Sequence, residues 1–119
     1  MIFMVISMEH MMRLHKEPFE LIKSGSKTIE LRLNDEKRQL INVGDKITFE
    51  NRSDGEKIQV KVLGLHKYPS FEELYNHFDK VSMGYKEDEK ANPKDMEQYY
   101  SSEEQSKYGV VGIEMELIK

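Results

Sequence analysis

Strict alternation in Lys27–Leu33 constrains this chain more than any other feature. Ile29, Leu31 and Leu33 alternate with Thr28, Glu30 and Arg32, the period-two pattern of a strand with one face in a core. The same period recurs in Ile47 and Phe49, in Ile58, Val60 and Val62, and in Val111, Ile113, Met115 and Leu117. A chain that repeats this pattern builds a sheet and must then protect the sheet's edges. Asn51–Gly55 reads as a hairpin loop between the second and third of these strands. The alternation slips at Leu63-Gly64-Leu65, which predicts a bulge or bend.

Helical signals punctuate the strands. Glu17-Pro18 opens a short helix that buries Phe19 and Ile22, and Gly25 ends it. Ser70 and Glu73 have capping-box spacing ahead of Phe71 and Leu74, and Ser101 and Glu104 repeat it before Gly109. Asn92-Pro93 is a further start signal. Residues 79–91 show no period and read as a loop, and Val43-Gly44-Asp45 reads as a turn. The apolar run Met1–Met8 reads as a buried first strand, with His10–Leu14 extending it. It is too short to span a bilayer, which takes roughly 20 apolar residues, and it lacks the basic lead and cleavage site of a signal peptide. The expected architecture is mixed α and β, a sheet closed into a barrel with short helices inserted, forming a single domain over residues 1–119.

Composition narrows the chemistry. The 119 residues include no cysteine, so disulfides, thiolate metal sites and cysteine nucleophiles are excluded. That usage fits a cytoplasmic protein. His10, His15, His66 and His77 lack metal-ligand spacing, so neither a metal nor another cofactor is expected. The eight methionines read as core filler. Net charge is −4 but unevenly placed: residues 1–69 carry 12 Lys/Arg against 10 Asp/Glu, and residues 70–119 carry 6 against 12. A local basic site in the first part is compatible with an acidic remainder.

The candidate site lies on the alternating strand. Glu30 and Arg32, two residues apart, project from one face about 7 Å apart, and Lys27 stands where the preceding loop becomes the strand. A carboxylate between two cations holds them in place and leaves donors for a phosphate or a base edge. Glu30 could instead act as a general base, or the three could form an ion-pair network with no ligand. Arg38 and Lys37 extend a basic rim, although Asp35 and Glu36 make a solvated loop the simpler reading. Tyr99, Tyr100 and Tyr108 offer stacking surfaces for bases, against the alternative of core packing.

Gly25-Ser26-Lys27-Thr28-Ile29-Glu30-Leu31-Arg32 matches the G-x-K-x-x-E-x-R motif of the ASCH family at all four specified positions. The short helix before it, the V-G-D turn after it and the run from Tyr99 to Gly112 are also similar to members of that family. The resemblance implies a PUA-like β-barrel of five to seven strands with flanking short helices. It also implies a cleft beside the motif and a role in binding RNA, so the expected RNA or nucleotide site is Lys27, Glu30 and Arg32, with Arg38 of the rim and Tyr99 of the stacking residues as further candidates. Some small ASCH proteins are amidohydrolases on acetylcytidine that use a threonine, a lysine and a glutamate. Lys27 matches their lysine, but Glu30 occupies the threonine position and Thr28 is out of phase, so the reading leans away from an enzyme. If the chain is nevertheless a hydrolase, of a modified nucleoside or of RNA, Lys27 and Glu30 are its candidate catalytic residues. A protein-interaction module remains the third alternative.

Overall fold

Among the described residues, five strands form one sheet in the order β1-β3-β4-β5-β2: β1 (Glu9–Leu14), β2 (Ile29–Leu33), β3 (Lys46–Asn51), β4 (Lys57–Tyr68) and β5 (Val110–Leu117). The computed structural model describes residues 8–119. The run Met1–Ser7, most of the expected first strand, lies outside the described residues. Its continuation is β1, which pairs in parallel with β3, while the other neighbouring strands are antiparallel. Among the described residues β1 and β2 are the two edges, so the sheet is a half-barrel with a seam between them.

The expected hairpin is β3–β4. The expected irregularity in β4 is a register shift between Val62 and Gly64, which leaves Leu63 exposed at the slip.

The short helices follow their cap signals. Helix α1 (Lys16–Lys23) starts earlier than Glu17-Pro18 indicated, so Pro18 is its third residue. Proline is tolerated there because the N–H groups of a first turn have no intrahelical acceptor. Gly25 ends α1 at φ 86°, its N–H donating to Ile22 O at 3.0 Å. In α2 (Phe71–Leu74) Ser70 accepts from Glu73 N, half of a capping box. In α3 (Ser102–Tyr108) both halves form between Ser101 and Glu104. Asn92 caps the 3-10 helix Pro93–Gln98, and no helix or strand occurs in 79–91.

The core has two parts. One packs Phe19 and Ile22 of α1 against Ile47, Phe49, Val60 and Ile113 of the sheet. The other gathers Ile29, Leu31 and Leu33 of β2 with Phe71, Leu74 and Met96. Burying a large apolar side chain contributes about 1.5–3 kcal/mol, so both parts hold the short helices, which are too brief to persist alone. Strand β2 therefore packs its apolar face into the second part.

Candidate functional site

Register explains how three charged groups come to be buried. Glu30 pairs across the ladder with Ile113, and Arg32 with Val111. Directly opposed residues share a face, and Ile113 and Val111 belong to the core beneath α1. Glu30 and Arg32 thus point to the inner side of the half-barrel, at the seam where, among the described residues, no strand pairs with the second edge of β2. The alternation is as expected, but its polar face is covered: Glu30 is 3% exposed and Lys27 9%.

Glu30 binds both cations. Its Oε1 lies 3.0 Å from Lys27 Nζ, and its Oε2 lies 2.9 Å from Arg32 Nη2. Arg32 Nε donates to the same Oε2 at 2.9 Å, so the guanidinium grips one oxygen through two N–H groups. Arg32 Nη2 also donates to Arg13 O of β1 at 3.3 Å, so this side chain crosses the seam. Burial works to raise the Glu30 pKa, but the charges of Lys27 and Arg32 and their hydrogen bonds outweigh it and hold the carboxyl below its ordinary value. Arg32 is likewise held charged: burial opposes its charge, and Glu30 more than restores it.

The backbone fixes the motif from two sides. Lys27 N donates to Leu21 O of α1 at 3.0 Å, and Thr28 N and Ile29 N both donate to Ser82 O at 2.9 Å. Gly84 lies on Lys27. Its φ is 108°, and a Cβ placed there would sit 3.1 Å from Lys27 Cδ. The 79–91 segment is therefore a wall of the site, and it leaves a cleft open beside the seam.

That cleft encloses about 710 Å³ and is lined by Lys27, Glu30 and Arg32, within the ~300–1,000 Å³ typical of small-ligand sites. Residues that the sequence did not single out also line it: Arg13, Arg52, Tyr75, Tyr85 and Asp95. Arg52 N donates to Leu14 O at 2.9 Å, which sets this arginine beside β1. Tyr99 lines the cleft and is 55% exposed. Tyr100 lines it too, stacked on Phe71 with ring centroids 5.9 Å apart. Burial pushes its phenol up, against the opposing charges of Arg32 and Arg38.

Arg38, Tyr108 and Thr28 lie elsewhere. Arg38 is not among the lining residues; its backbone N–H and Nη1 donate to the Asp35 carboxylate at 3.1 and 3.2 Å, so Asp35 caps this turn. Tyr108 packs into the second core and under Lys107. Thr28 lines a separate groove on the far side of Lys27. Among the described residues no three His, Asp or Glu side chains are grouped to hold a metal, and no helix is long and apolar enough to cross a membrane.

The ASCH domain model matches residues 12–119. The chain belongs to the ASCH family. Two solved structures of similar ASCH-type proteins support the assignment. A crystal structure of the hypothetical Pyrococcus protein PH0355 superposes with a TM-score of 0.80 at 39% identity, covering 93% of this chain and 100% of that one. The solution structure of protein PF0455 from Pyrococcus furiosus gives 0.70 at 37% identity, covering 94% and 99%. None of the curated proteins compared with the chain matches it significantly. The ASCH half-barrel with its short helices is consistent with a PUA-like fold.

Proposed function

We propose that this ASCH protein binds RNA or a nucleotide in the seam cleft, with Lys27, Arg32 and Glu30 at its centre and Tyr99 on its rim. The observation that carries the reading is the charge of the buried triad. Two cations share one carboxylate, so the triad itself keeps a net positive charge. An anion from solvent is its natural complement. Arg13 and Arg52 add positive charge near the triad, balanced elsewhere in the lining by Glu17, Glu89 and Asp95, and the tyrosines add flat surfaces on which a base can stack. The general association of the family with RNA binding supports the same reading.

Hydrolysis is less well supported. Both Glu30 oxygens are engaged and the carboxylate is held ionised, which suits an anchor better than a general base. Thr28 faces the other groove, so Lys27 and a threonine hydroxyl do not meet in the cleft.

The test is titration of short single-stranded RNAs and nucleotides into the protein and its Lys27→Ala variant. Affinity is expected to fall by ~0.7 log units per log unit of salt for each phosphate contacted, and to drop at least about tenfold in the variant. Salt-insensitive binding, or a Lys27→Ala protein that binds as well as the parent, contradicts the reading.

A further inference from the structure

Part of the cleft lining has the reverse polarity. Tyr75 Oη lies 2.9 Å from Tyr85 Oη, and Tyr85 Oη lies 2.8 Å from Asp95 Oδ2 and 3.2 Å from Asn92 O. These contacts order the protons. A carboxylate and a carbonyl can only accept, so the single Tyr85 hydrogen points toward Asp95 and Asn92. Tyr85 oxygen then accepts from Tyr75, whose own proton is thereby committed. What remains for a ligand is acceptors alone: the lone pairs of Tyr75 and Oδ1 of Asp95, which has no partner among the described residues. Burial pushes the Tyr75 phenol far above its ordinary value, and its bond to Tyr85 adds to the rise, so it keeps its proton.

The cleft thus offers donors from Lys27, Arg13, Arg32 and Arg52 and acceptors from Tyr75 and Asp95, with the carboxylates of Glu17 and Glu89 also in its lining. A ligand matching both carries an anion at one end and N–H donors at the other. Resting on the nucleotide reading above, we propose that the Tyr75–Tyr85–Asp95 relay selects nucleotides with amino-bearing bases, oriented with the phosphate toward the arginines and the amine toward the relay. Uracil is the poor match. The lone N–H of its pairing edge is flanked by two carbonyl oxygens, which would face the Asp95 carboxylate. A cytosine or adenine amine presents two N–H groups without that clash. The same chemistry is available from a free nucleotide and from a base within an RNA strand.

The experiment compares cytidine 5′-monophosphate, its pyrimidin-2-one analogue lacking only the amine, and uridine 5′-monophosphate by calorimetry. Pentacytidylate and pentauridylate form a parallel pair. Cytidine ligands are expected to bind about tenfold more tightly than the other two. Tyr85→Phe and Asp95→Asn are each expected to reduce that ratio to about twofold, with unchanged amide spectra away from the relay. Discrimination by the pentamers alone supports the proposal with an RNA strand as the source, and discrimination by the mononucleotides supports a free nucleotide. Binding without discrimination, or discrimination that survives both variants, overturns the inference while leaving nucleotide binding intact. No binding by any of the five ligands overturns both.

Discussion

Glu30 is the residue on which the site depends. One buried carboxylate neutralises one of two adjacent cations and orients both, so removing its charge leaves Lys27 and Arg32 facing each other without an anion. Breaking a buried pair in this way costs about 3–5 kcal/mol. Glu30→Gln is therefore expected to lower the urea midpoint by a corresponding amount and to abolish ligand binding; a midpoint equal to the parent's would show the triad to be structurally idle. Acid should act through the same group. Glu30 and Asp45 are both held below their ordinary values of 4.5 and 3.8. For Asp45, burial raises the pKa, but hydrogen bonds from His10 and from the Asn42 and Met8 amides outweigh it. A depressed carboxyl stabilises the fold above its ordinary pKa and loses that contribution as pH falls through the folded value. Stability linked to these two groups should thus be complete above about pH 5 and decline below about pH 4. Urea denaturation across pH 3–8 checks this, and Glu30→Gln should flatten the acid limb. Lys27, Glu30 and Arg32 were legible from spacing. Arg13, Arg52, Tyr75, Tyr85 and Asp95 were not, because each reaches the cleft from an element whose position depends on long-range packing.

At the scale of elements, the wall made by residues 79–91 carries the sharpest expectation. Gly84 sits at φ 108°, and a Cβ would press on Lys27 Cδ at 3.1 Å. Gly84→Ala combines an unfavourable backbone conformation, costing about 1–2 kcal/mol, with displacement of the lysine. It is expected to weaken ligand binding more than stability alone explains. An alanine variant with parental affinity would show that Lys27 position is not set by this wall. Ser101→Ala, which removes the reciprocal cap of α3, should cost about 1 kcal/mol in thermal or urea unfolding without altering binding. Caps, hairpin and bulge were readable because each is a local interaction. The loop character of 79–91 was readable too, but its place against the motif was not, since that is set by contacts such as Ser82 O with the Thr28 and Ile29 amides. Strand β2 was readable in phase but not in burial. Alternation identifies two faces, and only the ladder to β5 shows that the polar one turns inward at the seam.

For the molecule as a whole, the open seam links fold and function. Closing a sheet protects its edges. Here, among the described residues, β1 and β2 are joined across the gap by an arginine side chain and a backbone carbonyl, with no ladder. The gap becomes the cleft, and the charges that line it are held by the fold itself. A net charge of −4 should oppose indiscriminate polyanion binding, so affinity is expected to be confined to ligands that reach the buried triad. The most direct measurement is an amide-shift titration with a short single-stranded RNA at two salt concentrations. Shifts concentrated on Lys27–Arg32, Tyr85 and Tyr99, weakened by salt and absent in Lys27→Ala, are the expected result. Shifts confined to surfaces away from the seam, or none with any ligand, would contradict a binding role for this cleft.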